Sequence, residues 1–124
     1  MSARVEGMSV VRNGPLAGLR VVVTAGGTQE PLDPVRHLSN RSSGRMGYAL
    51  AEAARDAGAS VTLISAPTGL PPVYDVETVA VRTAAEMQAA VLERVPTTDA
   101  LVMAAAVADY RPAQAAEHKI KKRE

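Results

Sequence analysis

Leu19-Arg20-Val21-Val22-Val23-Thr24-Ala25-Gly26-Gly27-Thr28 is the stretch from which the fold can be read. A short β-branched run ends in a glycine pair. Such a run predicts a strand, and the glycines predict a tight turn at its carboxyl end. Residues 29–43 then predict irregular chain, because Pro31 and Pro34 exclude a helix and residues 39–43 are polar. Loops of that length inside a compact domain usually carry function or move.

A helix is expected over residues 44–57. Met46, Ala49, Leu50, Ala53, Ala54 and Ala57 recur at helical spacing and form its expected apolar face. Ser42 or Ser43 is the expected N-cap and Gly58 the stop. Residues 60–64 predict a second strand, 67–72 a loop and 76–81 a weaker third strand. Thr83-x-x-Glu86 is a capping box for a second helix ending near Val95, before Pro96. Met87, Ala90, Val91 and Val95 are its expected buried stripe. Residues 100–104 form a last, almost wholly apolar strand. Strands of this kind imply burial on both faces, as in a parallel α/β sheet. The expected fold class is therefore α/β, a partial Rossmann-like three-layer parallel sheet of about four strands and two main helices. Residues 1–15 read as a flexible leader. No helix–strand unit is completed after Met103, so the chain reads as half of a doubly wound domain.

Composition sets the bounds. At 124 residues and 12.9 kDa there is room for one domain. The chain has 23 Ala, 16 Val, three Tyr, no Phe and no Trp, so its elements must pack closely to bury enough area. A net charge of +1 argues against a nucleic-acid coat. With no cysteine, a disulfide framework, a thiolate zinc site and a cysteine nucleophile are excluded. No apolar run is long enough to span a membrane, and no secretory signal opens the chain. A cytoplasmic location with no membrane and no nucleic-acid partner is the expectation.

Ligands in open α/β sheets bind at the carboxyl ends of strands. Three unusual segments fall there. Gly26-Gly27-Thr28 follows the first strand, where glycines let a ligand approach the backbone, although an ordinary turn reads the same way. Arg36-His37-Leu38-Ser39-Asn40-Arg41-Ser42-Ser43-Gly44-Arg45-Met46-Gly47 leads into the first helix. A helix N-terminus offers backbone N–H groups and a positive dipole end to a phosphate. Ser42 and Ser43 add hydroxyls, Gly44 and Gly47 leave room, and Arg36, Arg41 and Arg45 add charge. His37 has no identifiable partner and reads as structural or solvent-exposed. Residues 104–112, Ala-Ala-Ala-Val-Ala-Asp-Tyr-Arg-Pro, follow the last strand. Their small side chains leave space for a base or sugar, and Asp109 could accept ribose hydroxyls or hold a metal already carried by phosphates. Lys119-Ile120-Lys121-Lys122 is a solvated tail or a flap that carries Lys119 onto a triphosphate.

These segments, in this order, resemble the phosphopantothenoylcysteine synthetase family, the ligase part of the DNA/pantothenate metabolism flavoproteins. The matching stretches are Thr24 to Arg36, Ser39 to Gly47, Ala104 to Pro112 and Lys119 to Lys122, so the resemblance covers the chain beyond its leader. It implies a CTP-dependent ligase domain, of which residues 16–124 would be the N-terminal part, ending at the lysine flap. It implies that CTP activates 4′-phosphopantothenate to an acyl-cytidylate with release of pyrophosphate, and that the amine of L-cysteine then displaces CMP, a step in coenzyme A biosynthesis. Mg2+ would accompany the CTP. By matching position, Asn40 and Lys119 would be catalytic, and Arg36 and Asn40 would bind phosphopantothenate. Gly26, Gly27, Thr28, Ser42, Ser43, Gly44, Ala105, Ala106, Asp109 and Lys119 would bind the nucleotide, with Asp109 near the metal.

The resemblance also implies a homodimer and a flavin-dependent decarboxylase, separate or fused; no FMN is expected in this chain. The departures are Gly27 where many members have Pro, Gln29 where many have Arg, and Arg45 where Lys is usual. The family's domain also continues past the lysine motif. A nucleotide-binding half-domain without turnover is the alternative. A dinucleotide-dependent reductase is disfavoured, since no Gly-x-Gly-x-x-Gly and no Tyr-x-x-x-Lys occurs.

Overall fold

The computed structural model describes residues 13–107. The elements run β1 Arg20–Ala25, β2 Gln29–Pro31, β3 His37–Ser39, α1 Arg45–Asp56, β4 Ser60–Ser65, β5 Glu77–Ala80, α2 Ala84–Arg94 and β6 Ala100–Met103, with a single 3-10 turn at Val95–Thr97. Four strands form a parallel sheet in the order β5-β4-β1-β6. Val23 of β1 lies opposite Leu63 on one side and Val102 on the other.

Alternation along β1 sends side chains to two opposite layers. Val21, Val23 and Ala25 pack with Val61, Leu63 and Ala51 of α1. Val22 packs the other way, with Ile64, Ala66 and Met87, Ala90 and Val91 of α2. The architecture is the expected α/β three-layer arrangement. Burial on both faces holds for β1 and most of β4. It does not hold for β5 and β6, which flank the sheet among the described residues and are largely exposed.

The first helix buries a different face from the one expected. Gly47 and Ala51 are buried, whereas Met46 is 69% and Leu50 37% exposed. The reason is the closeness of α1 to β1. A Cβ on Gly47 would run into the Ala25 side chain and sit 3.0 Å from the Thr24 carbonyl oxygen. Only small residues fit such a contact, so the larger Met and Leu turn outward. The second helix agrees better with expectation. Thr83 and Glu86 form the reciprocal capping box, and Ala84, Met87, Ala90 and Val91 are buried, while Val95 is exposed.

Residues 29–43 are not wholly irregular. β2 and β3 pair as a short antiparallel hairpin, with Glu30 opposite Leu38. Its turn is closed by Leu32 N–H donating to the Arg36 carbonyl at 2.9 Å.

Candidate functional site

The chain moves outward from β1 to β4 and β5, then returns past β1 to β6. The strand order therefore reverses between β1 and β6, and the carboxyl ends of these two strands are where such a sheet binds ligands. Three segments meet there. Ala106 N–H donates to the Gly26 carbonyl at 2.8 Å, and Thr28 N–H donates to the Ala106 carbonyl at 3.0 Å. Ala105 N–H reaches Thr24 Oγ1 at 3.3 Å. The third segment is that of Asn40, whose backbone N–H donates to the Thr28 carbonyl at 3.0 Å.

Asn40 is tied to the same residue by its side chain. Nδ2 donates to the Thr28 carbonyl and to Thr28 Oγ1, both at 3.0 Å. These bonds aim the amide nitrogen at Thr28 and turn Oδ1 to the opposite side. Gly27 explains how the segments come so close. A side chain there would run into the Asn40 carbonyl. On its Cβ side, then, Gly27 makes room for the backbone of Asn40. Gly47 likewise faces Ala25 rather than an open approach.

The N-terminus of α1 also differs from expectation. Gly44, at φ +83°, is the N-cap residue, and no side chain caps the helix. Ser42 Oγ accepts from Gly44 N–H and Ser43 Oγ from Arg45 N–H, each at 3.2 Å. The serines therefore shape the turn before the helix rather than cap it. Gly44 suits that turn because a positive φ carries no steric cost in glycine.

The start of α2 is the opposite case. Glu30, only 5% exposed, accepts from Ala84 N–H at 2.8 Å through Oε2. Glu86 Oε1 accepts from the N–H groups of Arg82 at 2.7 Å and Thr83 at 3.2 Å. Two carboxylates already complement the positive end of α2, whereas the first turn of α1 holds no acidic residue.

Arg36 is not a free cation. Its Nε and a terminal nitrogen bind Asp33 Oδ2 at 2.8 and 2.7 Å. Asp33 Oδ1 accepts from Val35 N–H at 2.9 Å and Arg36 N–H at 2.7 Å. The Arg36 guanidinium, aided by those two N–H groups, holds the Asp33 carboxyl below its ordinary range. His37 opens β3 and is exposed. Ala105 and Ala106 lie just past β6, half-buried. Asp109 and Lys119 lie outside the described residues.

Among the described residues no group of three or more His, Cys, Asp or Glu is placed to hold a metal ion. No described helix is long and apolar enough to cross a membrane. A cleft of about 800 Å³, lined by Arg20, Thr62, Glu77, Arg94 and Thr98 among others, lies at the amino ends of the strands. It is at the wrong end of the sheet for the three segments.

Sequence reading passed over Thr24, Glu30, Tyr48 and Thr68, all of which brace this end of the sheet. Glu30 lies in a stretch that carried the family resemblance, which was the available signal. Thr24 opens that same stretch, whereas Tyr48 and Thr68 lie outside the matching stretches and meet each other across 20 positions, so no local pattern marks them.

Residues 16–124 match the family model described as the DNA/pantothenate metabolism flavoprotein C-terminal domain. The coenzyme A biosynthesis bifunctional protein CoaBC of Mycobacterium bovis is 57% identical over 108 residues, which are 86% of this chain and 26% of that protein. Its Escherichia coli K12 counterpart is 53% identical over 107 residues, again 86% of this chain and 26% of that protein. A crystal structure of the CoaBC C-terminal domain superposes with a TM-score of 0.74 at 50% identity, covering 78% of this chain and 50% of that one. The DNA/pantothenate metabolism flavoprotein from Streptococcus pneumoniae gives a TM-score of 0.70 at 31% identity, covering 77% of this chain and 42% of that one. The chain thus spans about a quarter of the bifunctional relatives and half of the solved domain. The strand order, the crowded carboxyl end and these likenesses agree: the chain belongs to the DNA/pantothenate metabolism flavoprotein C-terminal domain family.

Proposed function

We propose that this chain supplies the nucleotide- and phosphopantothenate-binding half of a phosphopantothenate–cysteine ligase acting in coenzyme A biosynthesis. In the first step a carboxylate oxygen of 4′-phosphopantothenate attacks the α-phosphorus of CTP. The bond to the β-phosphate bridging oxygen breaks, and pyrophosphate leaves. In the second step the amine of L-cysteine attacks the acyl carbon of the acyl-cytidylate, loses a proton and expels CMP.

The observation that carries this reading is the contrast between the two helix N-termini. The start of α1 meets only the neutral hydroxyls of Ser42 and Ser43, holds no acidic residue, and lies beside the β1–β6 switch point. The start of α2 is filled by Glu30 and Glu86. Only the former suits a triphosphate, whose charge is held by backbone N–H groups and the helix dipole. Ser42, Ser43 and Gly44 would line the phosphates, and Gly26, Thr28, Ala105 and Ala106 the remainder of the nucleotide.

Asn40 would face the acyl group. Its Nδ2 is spent on Thr28, so its donation to the acyl oxygen requires one of those bonds to be exchanged. Arg36 would meet phosphopantothenate by giving up part of its pairing with Asp33. Lys119 and Asp109 enter through the resemblance alone. Lys119 would offset charge on the leaving pyrophosphate, and Asp109 would lie near Mg2+, which would travel with the CTP. The homodimer and the linked decarboxylase also belong to this proposal. Exposed Met46, Leu101 and Met103 supply apolar surface for association.

Titration of the chain with CTP, read at the backbone amides, tests the binding. Shifts concentrated at residues 42–47 are expected. Shifts concentrated around Thr83, or tighter binding of NADPH than CTP, overturn the reading. Phosphopantothenate-dependent release of pyrophosphate separates a ligase from a module that holds CTP without turnover. In the ligase joined to the rest of its domain, Lys119→Gln should abolish acyl-cytidylate formation, whereas Asn40→Asp should form it and fail to pass it on.

A further inference from the structure

The turn after β4 closes over both glycine turns of the site. The Thr68 methyl lies against Gly26 and Gly44, 3.1 and 2.7 Å from where side chains on them would begin. That methyl spans the gap between the end of β1 and the start of α1. The Thr68 hydroxyl in turn belongs to a chain of hydrogen bonds whose direction can be assigned link by link.

Ser65 Oγ donates to the Ala66 carbonyl at 2.7 Å, which uses its one proton. Ser65 Oγ must therefore accept in its 2.9 Å contact with the Tyr48 hydroxyl, so Tyr48 donates. With its proton spent, Tyr48 accepts from Thr68 Oγ1 at 3.3 Å. Thr68 Oγ1 finally accepts from Leu70 N–H at 3.1 Å. The chain runs one way, from Leu70 through Thr68, Tyr48 and Ser65 to Ala66. Each link polarises the next. Tyr48 sits one turn into α1, with its own N–H donating to the Gly44 carbonyl at 3.0 Å. Ala66 N–H donates to the Ala25 carbonyl at 2.9 Å. The relay is thus anchored at its middle, through Tyr48, to the first turn of α1 and at its Ala66 end to the last residue of β1.

We propose that Thr68, with Tyr48 and Ser65, is a positioning residue that fixes the distance between the Gly26 turn and the Gly44 turn, and so sets the width of the polyphosphate site. This rests on the reading of the α1 N-terminus given above. Thr68 itself need touch no phosphate.

The test uses the full chain with inorganic tripolyphosphate as probe, amide hydrogen exchange at Gly26 and Gly44, and urea unfolding. Thr68→Val keeps the methyl and breaks the relay; Tyr48→Phe breaks it one link further on; Thr68→Ser keeps the hydroxyl. Loss of a relay bond should weaken tripolyphosphate binding roughly 3- to 10-fold. Exchange at Gly26 and Gly44 should rise in Thr68→Val and Tyr48→Phe, and Thr68→Ser, which keeps the relay but loses the methyl between the two turns, should bind more tightly than Thr68→Val and more weakly than the parent. Unchanged affinity and unchanged exchange in Thr68→Val, with only a lower unfolding midpoint, would overturn the proposal and leave Thr68 a packing residue. If the parent does not bind tripolyphosphate at all, the anion-site reading fails. The positioning claim then stands or falls on exchange at the two glycines alone.

Discussion

Glu30 Oε2 accepts the backbone N–H of Ala84 at 2.8 Å, joining the β2–β3 hairpin to the first residue of α2 across 54 positions of sequence. The carboxylate fills a helix N-terminus that would otherwise suit an anion. The same hairpin leads into Asn40, so the contact both closes one candidate site and braces the other.

Replacing that carboxylate should therefore cost stability. Hydrogen bonds to charged groups contribute about 1.5–3 kcal/mol, and this one is nearly buried. Glu30→Gln should lower the free energy of unfolding by about 1–2 kcal/mol in urea, with no change in slope, while Glu30→Ala should cost more. A neutral result for both would remove the bracing role.

Gly27→Ala should be strongly destabilising, because the new methyl meets backbone rather than a side chain that can swing away. A cost of about 1–3 kcal/mol is expected, along with altered amide shifts at Thr28 and Asn40. Gly69→Ala, where an added Cβ meets nothing within 4 Å, is the control and should leave those amides in place.

The face that α1 buries is open to a direct comparison. Ala51→Val adds volume against β1 and should cost about 1–3 kcal/mol. Leu50→Ala removes more apolar surface, yet from the outward side, and should cost less than the Ala51 substitution. The reverse order in thermal unfolding would show that the helix is rotated.

Asp33 reports on acid. Its carboxyl is held below its ordinary value, so its contribution to folding is present above the unfolded-state pKa near 3.8 and is lost as pH falls through the lower folded value. The Val35 and Arg36 amide resonances should titrate together, with a midpoint below 3.8, and the hairpin turn should loosen there. A midpoint at or above that value would mean that the pairing with Arg36 does not persist in solution. Arg36→Gln should bring the midpoint back up.

Much of this protein follows from local sequence because it depends on local chemistry. The valine run of β1, its glycine turn, the Thr83–Glu86 capping box and the Met87-Ala90-Val91 stripe each obey a short-range rule. So does the stop after α1, where Gly58 follows Ala57. Motif order along the chain was enough to indicate the family, with no knowledge of packing. The order of the strands, the face that α1 buries and the partners of Asn40 and Arg36 required the tertiary structure. In α1, a helix rich in alanine offers two stripes of suitable spacing. The choice fell to Gly47 and Ala51 because the sheet lies too close for Met46 or Leu50. The hairpin at residues 29–39 was hidden because three-residue strands carry too few side chains to show a period. The roles of Glu30 and Thr68 stayed hidden because their partners come from distant parts of the chain, and only folding brings those groups within hydrogen-bonding reach.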